Sequence, residues 1–322
     1  MEIESRHELI DISVIMSAYF HEDYVGKALD SVLAQDTNLR LEVLITDDAS
    51  QDRTQDILRD YAARYPALIK PILRQRNIGA TKNGWDLRRR AKGRYLAFLG
   101  GDDFWLAPNK LQKQWEFLQN HPEYSGCCGK SLIVNEDDQP NFTQSPHFVW
   151  NKKIFTLQDF IDSWNIPGQT STLMCRNIFR YMEPEDYSIT YRAHPQVGDK
   201  TLMLFLLAEK PIYCSNEILS AYRYVDKTGE HNWFSIHHDN PYRNYDMFMY
   251  PCRLETWARG SIGLPYSVHL GQRSHYRFCR FVEECVKSPS IKRMQYLAEM
   301  ILHSHQPLKY SYYAVKALIE ME

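Results

Sequence analysis

The sequence lacks the marks of several protein classes. No window approaches 18 consecutive apolar residues, and the N-terminus, MEIESRHELIDIS, has neither the basic start nor the apolar stretch of a secretory signal. The seven cysteines form no CxxC pair, and their odd number fits free thiols in a reducing cytoplasm better than a disulfide framework or a zinc site. The net charge of -2 gives no indication of a nucleic acid partner. We therefore expect a globular, cytoplasmic protein that does not bind nucleic acid.

Two common nucleotide-binding motifs are also missing. The first predicted strand, residues 11–17, leads into SAYFHEDYVG, in which the first glycine is Gly26. A dinucleotide pyrophosphate requires close approach to a glycine-rich backbone at this point, so a Rossmann dehydrogenase is disfavoured. The sequence also contains no Walker A motif, which argues against the P-loop enzymes.

Strand and helix patterns alternate through the N-terminal part of the chain. The predicted strands cover 11–17, 41–46, 68–73 and 94–99, and the predicted helices cover 23–35, 54–64 and 80–91. Such alternation is typical of a parallel sheet covered by helices, and Pro71 favours an edge position for the third strand. Ligands bind such sheets at the carboxyl ends of the strands. Three polar clusters fall there: SAYFHEDY at 17–24, DDAS at 47–50 and GGDD at 100–103.

The rest of the chain is mixed and then helical. Further predicted elements are strands at 126–134 and 170–175, a helix at 156–163 capped by Thr156, an apolar helix at 199–208, and strands near 211–214 and 218–224. From about residue 245 amphipathic helices recur, and after Arg273 basic residues interleave with aromatic ones, as in HYRFCRFVEECVK. This composition suits an anionic membrane surface, and it equally suits packing on the preceding domain or on a second subunit.

The pair Asp102-Asp103 follows an apolar strand and two glycines. Adjacent carboxylates repel each other unless a positive charge lies beside them. A divalent cation is one such partner, because magnesium binds through one or two carboxylates together with substrate phosphates. A solvated turn is an ordinary alternative for Gly-Gly-Asp-Asp, and the motif by itself leaves both interpretations open.

Four segments, in this order and spacing, together resemble family 2 of the inverting glycosyltransferases, which have the GT-A fold. The segments are VIMSAYFHEDYVGKALDSVLAQ, LITDDASQDRT, RNIGATKNGW and YLAFLGGDDFWLAPNKLQKQ. The resemblance is clear over about residues 11–135 and patchier to about 235. It implies a metal-dependent enzyme that moves a sugar from a nucleoside diphosphate to a hydroxyl group, in the assembly of bacterial surface polysaccharide, lipopolysaccharide or glycoprotein glycans. It does not name the sugar.

The resemblance assigns the nucleotide pocket to the first two clusters. Ser17 and Tyr19 match the start of the pocket, where Tyr19 would stack on the base; a core tyrosine at a strand end is the alternative. Asp48 matches the second Asp of the family's DDxS segment. Its carboxylate can accept the imide N–H of uracil, which favours a uridine donor. Capping of the following helix is the alternative role.

The third and fourth segments are assigned to the diphosphate and the metal. Asp103 matches the metal-binding Asp of the family's DxD-like motif, with Mg²⁺ or Mn²⁺ as the metal, and Asp102 matches the carboxylate near the ribose. Asn77 and Lys82 lie in the third segment and are candidates for donor binding. Many members carry Arg where this chain has Lys82, which keeps the charge but loses the fork geometry, so its phosphate contact is the weaker assignment.

An inverting transfer needs a base for the acceptor proton. Asp199, within VGDKTL, matches the family's base at the start of a helix; a helix cap is the alternative, and both roles can hold at once. The segment AYRYVDKTGEHNW resembles the part of the family that covers the donor diphosphate, which makes Arg223 a candidate for donor binding and His231 for metal binding. Trp105 is a candidate for stacking on an acceptor sugar, with core packing as the equal alternative.

We therefore expect an α/β domain of the GT-A fold over residues 1–235, with a mostly parallel sheet and helices on both faces, and a helical region over 236–322. The expected reaction is transfer from a UDP-sugar to a glycan or lipid-linked glycan. A nucleotidyltransferase is an alternative, although SAYFHEDY lacks the glycine-rich, basic segment that would hold a triphosphate. An inactive binding module is another, although metal and base candidates are present. The C-terminal helices would serve peripheral contact with the cytoplasmic face of the inner membrane, or a homodimer.

Overall fold

The first half of the sheet is parallel, as the alternating pattern predicts. The computed structural model describes residues 10–141, 151–225, 240–271, 274–304 and 306–319. Strands β1 (Ile12–Ala18), β2 (Leu41–Asp47), β3 (Ile69–Leu73) and β4 (Tyr95–Gly100) pair in the order β3-β2-β1-β4. They are connected by α1 (Val25–Leu33), α2 (Thr54–Arg64) and α3 (Ala80–Arg90). Strand β3, which contains Pro71, lies at the edge of the sheet, where a missing N–H is tolerated.

The second half of the sheet is mixed. Beyond β4 the order continues through β8 (Met174–Arg176), β6 (Gly126–Val134), β9 (Ile212–Arg223) and β5 (Phe104–Trp105), and β7 (Ile154–Phe155) pairs with β9 outside this path. Strands β6 and β9 are parallel, whereas β8, β5 and β7 pair antiparallel. Because Phe104 pairs with Ala221, the end of β9 lies beside the Gly-Gly-Asp-Asp turn.

Helices cover both faces of the sheet. The remaining helices of this part are α4 (Lys110–Asn120), α5 (Leu157–Ser163), α6 (Ile189–Arg192) and α7 (Asp199–Glu209). Side chains alternate between the faces of a strand, so Ile15 and Phe98 pack in one core with α3 and α7, whereas Val14 and Met16 pack in another with α1, α2 and α4. The expected α/β architecture, with a mostly parallel half and helices on both faces, is confirmed.

Two local predictions turn out differently. Residues 170–175 are not one strand, because Gln169 accepts the N–H of Ser171 and starts a 3₁₀ turn at Thr170–Thr172, so that β8 begins at Met174. The two strands expected near 211–224 form the single strand β9. The predicted cap of α5 is confirmed as a capping box, in which Thr156 and Asp159 bond reciprocally.

The C-terminal region is helical, as predicted, and it shares one helix with the sheet domain. Its helices are α8 (Arg243–Ser261), α9 (Ser274–Lys287), α10 (Ile291–His303) and α11 (Pro307–Ile319). Tyr250 and Leu254 of α8 pack in the core with α7, whereas Phe248 of the same helix packs with Phe278 of α9 and Leu297 of α10. Helix α8 therefore belongs to both cores, and a division at residue 235 stays a prediction.

Two further expectations concern bilayers and thiols. Within the part of the chain that the structure describes, no helix is both long and apolar enough to span a bilayer. All seven cysteines are free, and all except Cys279 are buried. The buried thiols pack as small apolar side chains.

Candidate active site

A cavity of about 600 Å³ lies at the carboxyl edge of β1 and β4. It is lined by Ser17 from the end of β1 and by the carboxylates of Asp102, Asp103 and Asp199. In the sheet, Ser17 pairs in register with Gly100, so the strand ends that carry the first and third polar clusters lie side by side. The fold thus brings these four predicted residues to one cavity.

Asp103 is the most buried of the three carboxylates, with 3% of its surface exposed. Its Oδ1 accepts the backbone N–H of Arg223 at 2.9 Å, and its Oδ2 accepts the side-chain amide of Gln169 at 3.4 Å. Burial, together with the charge of Asp102, raises the pKa of Asp103 well above its ordinary value. Negative charge at this point therefore requires compensation.

The Asp102-Asp103 pair fits the predicted divalent cation. Mg²⁺ and Mn²⁺ prefer oxygen ligands and are commonly held by one or two carboxylates plus substrate phosphates. The described residues contain no group of three or more His, Cys, Asp or Glu side chains placed to hold a metal, so the fit rests on this pair and on a phosphate-bearing substrate. The other predicted ligand, His231, lies outside the described residues.

Gly100 and Gly101 allow the carboxylates to lie close to the sheet edge. A Cβ atom on Gly100 would lie 2.6 Å from Oδ1 of Asp102, and one on Gly101 would lie 2.7 Å from Nδ1 of His21. The Nε2 atom of His21 also lies 3.9 Å from Oδ2 of Asp102. The close packing of this turn therefore explains why two glycines precede the acidic pair.

Arg223 supports the acidic turn and does not line the cavity. Its side chain is 2% exposed and donates to the carbonyls of Asp102, Asn135 and Glu136 and to the carboxylate of Asp138. These bonds use four of the five N–H donors of a guanidinium. The direct contact with the donor that the sequence suggested is therefore corrected to a positioning role, because alternation along β9 turns Arg223 away from the cavity.

Asp199 begins α7, as predicted, and its Oδ1 accepts the backbone N–H of Lys200 at 2.8 Å. The next residue is held from the C-terminal region, since the hydroxyl of Tyr250 bonds to the N–H of Thr201 at 3.0 Å and to its Oγ1 at 2.9 Å. Asp199 thus contributes to the helix start and also lines the cavity. The N-cap of α7 is Gly198, and no side chain caps this helix, so the structure does not give Asp199 the cap role, and its catalytic role stays a prediction.

Tyr222 lies among the three carboxylates. Burial raises its pKa, and the charges of Asp103, Asp102 and Asp199 add to the shift. The phenol lines the cavity together with Tyr224. A protonated hydroxyl between acidic groups can donate to a substrate oxygen or to a carboxylate.

Asp48 and Asn77 shape the loop that precedes α3. The Oδ1 and Oδ2 atoms of Asp48 accept the N–H groups of Ile78 and Gly79 at 2.8 and 2.9 Å, and Oδ1 of Asn77 accepts the N–H of Gly79 at 3.1 Å. Gly79 has a φ of 89°, which favours glycine. Asp48 is therefore rigid and buried beside β2, and its contact with a base stays a prediction.

Tyr19 and Lys82 also lie near the carboxyl edge. Tyr19 is half-buried just after β1, with its ring edge-to-face against Phe20 at a centroid distance of 4.7 Å. Lys82 is exposed in the first turn of α3, with its ammonium 5.6 Å from the centroid of the Tyr191 ring. Their roles in donor binding stay predictions.

Trp105 is a core residue. It is 5% exposed, its indole N–H donates to the carbonyl of Ser171 at 2.9 Å, and the ammonium of Lys110 lies 4.4 Å from its ring centroid. The ring presents no open face to an acceptor sugar. Of the two interpretations of this residue, core packing describes its place, because β5 directs the side chain into the core.

Among the residues that line the cavity and that sequence reasoning missed are Arg88, Gln169 and Arg243. Arg88 is the first of three consecutive arginines in the last turn of α3. From the sequence, such a group suggests a solvent-exposed, charged helix end. Arg243 starts α8, and its Nε atom is buried without a hydrogen-bond partner in the described part of the chain. Burial and the charge of Arg277 lower the pKa of Arg243. Both arginines come from outside the four motifs, so motif matching could not find them.

Replacement of Gly101 by Ala tests the tight packing of the acidic turn. We expect Gly101→Ala to lower the free energy of unfolding by about 1–3 kcal/mol, because the added methyl group overpacks against His21 and the Ser17 carbonyl. Gly260→Ala is the matched control, since a Cβ there meets nothing within 4 Å; the helical position should gain up to about 1 kcal/mol. Urea unfolding measures both, and equal stability of the two variants would contradict the packing argument.

Comparison with known proteins agrees with this geometry. The family model described as glycosyl transferase family 2 matches residues 13–180. An uncharacterized protein of Mycobacterium tuberculosis is 36% identical over 188 residues, which are 58% of this chain and 49% of the relative. TuaG of Bacillus subtilis, a putative teichuronic acid biosynthesis glycosyltransferase, is 36% identical over 125 residues, 39% of this chain and 48% of the relative. The chain spans about half the length of the curated relatives it matches.

Solved structures share the fold. Residues 1–349 of S. aureus TarS, in complex with UDP-GlcNAc, align over 97% of this chain and 89% of that chain, with a TM-score of 0.61 and 16% identity. The mannosyltransferase PcManGT from Pyrobaculum calidifontis, in complex with GDP-Man and Mn²⁺, aligns over 98% of this chain and 87% of that chain, with a TM-score of 0.50 and 13% identity. The match of the family model over more than half of the sequence, together with this fold, shows that the chain belongs to glycosyl transferase family 2.

Proposed function

We propose that the chain transfers a sugar from a UDP-sugar to a hydroxyl group of a glycan or lipid-linked glycan, in a single displacement with inversion. The observation that carries the proposal is that Asp102, Asp103 and Asp199 line one cavity at the carboxyl edge of the sheet. The reaction needs negative charge in two places: at a metal that compensates the donor diphosphate, and at a base that takes the acceptor proton.

In this proposal the nucleotide binds at the carboxyl ends of three strands: Ser17 and Tyr19 lie at the end of β1, Asp48 follows β2 and Asn77 follows β3. The carboxylate of Asp48 is rigid because it holds the loop before α3. A carboxylate oxygen has more than one lone pair, so Asp48 can also accept the imide N–H of uracil. The complex of TarS with UDP-GlcNAc supports a uridine donor.

The donor diphosphate lies at the acidic turn. Asp103 would hold Mg²⁺ or Mn²⁺, with His231 as a further ligand, and Asp102 would lie near the ribose. When bound, the ion neutralises the charge that develops on the departing diphosphate. The Mn²⁺ in the PcManGT complex supports this use of the fold. Lys82 and Arg243 add positive charge around the same edge.

Asp199 acts as the base. It takes the proton from the acceptor hydroxyl while the oxygen forms its bond to the anomeric carbon, and UDP leaves from the opposite face, which inverts the configuration. Seven side chains of α7 are buried, so the helix holds the carboxylate on a rigid support. The bond from Tyr250 to Thr201 braces the same helix start.

The proposed acceptor is a glycan, and the proposed place of the reaction is the cytoplasm. The name of TuaG connects one relative with teichuronic acid biosynthesis, which supports a glycan acceptor for bacterial surface assembly. A nucleotide-sugar donor and free thiols support a reaction in the cytoplasm, at the inner face of the membrane where a lipid-linked acceptor would lie.

The C-terminal helices would provide peripheral membrane contact or a homodimer interface. Exposed apolar side chains on α10 and α11 support either role: Ile291, Leu302, Leu308 and Val315. Co-sedimentation with anionic vesicles that high salt reverses is expected for membrane contact. A concentration-dependent dimer in sedimentation velocity, without vesicle binding, is expected for the homodimer.

Replacement of Asp103 tests the metal-dependent step. Asp103→Asn keeps an acceptor for the Arg223 N–H, so the fold should persist, whereas metal-dependent UDP release should fall by at least about 10³-fold, a loss of several kcal/mol. Asp60→Asn, which changes an exposed acid on α2, is the control. Calorimetry should show tighter binding of UDP than of GDP to the wild type. Turnover that survives both Asp103→Asn and a chelator would refute the metal dependence.

Replacement of Asp199 tests the base. Asp199→Asn can still accept the N–H of Lys200, so α7 should be preserved. Turnover should fall by roughly 10²–10⁴-fold, the usual contribution of a general base, while the dissociation constant of UDP stays unchanged because the base faces the acceptor. A parallel loss of UDP affinity, measured by calorimetry, would instead place Asp199 in the nucleotide pocket.

A further inference from the structure

Arg88 is a buried cation that forms no ion pair with a carboxylate among the residues that the structure describes. It is 7% exposed, and its Nε atom is fully buried without a hydrogen-bond partner in the described part of the chain. Its guanidinium lies 5.2 Å from the ring centroid of Phe179 and beside Gly84, where a Cβ atom would lie 3.4 Å from Nη1. Both Arg88 and Gly84 line the cavity. The absence of a side chain on Gly84 therefore leaves room for the guanidinium at the cavity wall.

The neighbouring arginines show that the missing partner is specific to Arg88. Arg89 and Arg90 both form ion pairs with Asp86, at 2.8 and 2.9 Å, and Arg74 bonds to the same carboxylate. Residues two positions apart on a helix lie on different faces, so Arg88 points away from Asp86. Asp86 is the only acidic residue of α3, and it pairs with Arg74, Arg89 and Arg90. Arg88 therefore receives no carboxylate from its own helix.

A guanidinium without a counter-charge in this position is energetically unfavourable, and it nevertheless stays charged. Burial lowers the pKa of Arg88 to about 10, so the group stays protonated at neutral pH. Removal of a guanidinium from water without a counter-charge is strongly unfavourable. An anion that enters the cavity would recover this cost, and the cavity supplies the path.

The position of Arg88 separates it from the acidic turn. Helix α3 starts near the carboxyl edge of the sheet, and eight residues at 1.5 Å each put the Arg88 backbone about 12 Å further along the helix. Its side chain leans back by about one turn, toward Gly84. The other residues that line this inner part are apolar: Ile15, Leu87 and Phe98. Ile15 and Phe98 pair in register inside the strands, before the strand ends that carry Ser17 and Gly100.

We propose that Arg88 recognises a carboxylate on the transferred sugar, so that the donor is a UDP-linked uronic acid. The inference rests on the proposed function, in which the diphosphate lies at Asp103 and the base Asp199 faces the anomeric carbon. A sugar between these two carboxylates directs its remaining substituents toward the inner wall. The lining includes the apolar side chains of Ile15, Leu87 and Phe98 as well as Arg88, and a planar carboxylate matches the guanidinium fork with two charge-assisted hydrogen bonds.

Matched donors test the proposal. Calorimetry with Mg²⁺ present compares UDP-glucuronate with UDP-glucose and UDP-galacturonate with UDP-galactose, with UDP alone as the reference. Each pair differs in a carboxylate against a hydroxymethyl group. Wild-type protein should bind at least one uronate about 10- to 100-fold more tightly than its matched hexose, as expected for a bidentate charged pair.

Arg88→Met should remove this preference and leave the affinity for UDP unchanged. Arg88→Lys should keep part of the preference, because the charge remains while the fork is lost. Arg89→Met is the matched control on the same helix, and it should keep the full preference. Since Arg88→Met removes an unpaired buried charge, the Tm of the ligand-free variant should not fall, which excludes misfolding as the reason for a lost preference.

Three results would overturn the inference. Equal or weaker binding of both uronates by the wild type would exclude a carboxylate at Arg88. A preference that survives Arg88→Met would assign the carboxylate to another group. An equal loss of affinity for UDP and every UDP-sugar in Arg88→Met would assign Arg88 to the diphosphate. Failure of UDP itself to bind would instead refute the proposed function, which keeps the two failures apart.

Discussion

The buried carboxylate of Asp103 is the constraint on which the site depends. A charge that is 3% exposed requires neighbours that hold it, and the protein supplies the N–H of Arg223 and the amide of Gln169. Both come from elements far along the chain, so β9 and the turn before β8 must be in place before the acidic turn has its final form. The pairing of β5 with β9 provides this link. Arg223 then holds the turn from the side away from the cavity, because its Nε–H donates to the carbonyl of Asp102.

The cavity combines charges of both signs on separate walls. The three carboxylates come from the turn after β4 and from the start of α7, whereas Arg88 and Arg243 come from α3 and α8. The two arginines have buried Nε atoms without hydrogen-bond partners in the described part of the chain, and they line the same cavity as the three carboxylates. A substrate with anionic groups and a bound cation satisfies both, and this complementarity explains why such costly groups are retained in one place.

Helix α8 connects the site with the C-terminal helices. Its first residue, Arg243, lines the cavity, its Tyr250 braces the start of α7, and its other face carries Phe248 into the core of α9 and α10. The apolar stripe of α9 is used in this packing, whereas α10 and α11 leave Ile291, Leu308 and Val315 exposed. The helical region is thus structurally continuous with the candidate site.

The sequence by itself predicted the alternation of strands and helices over about the first hundred residues and the parallel first half of the sheet, because periodicity is a local property of the chain. The resemblance to family motifs pointed to Asp102, Asp103 and Asp199. It could not decide which way a side chain at a strand end points. Trp105 and Arg223 matched the motifs, yet strand alternation turns one into the core and the other behind the acidic turn. Only the tertiary structure decided that Arg88 faces the cavity while Arg89 and Arg90 pair with Asp86. The physical reason is that burial and charge pairing depend on which elements pack together. The sequence alone therefore does not show which of three consecutive arginines is buried and which form ion pairs.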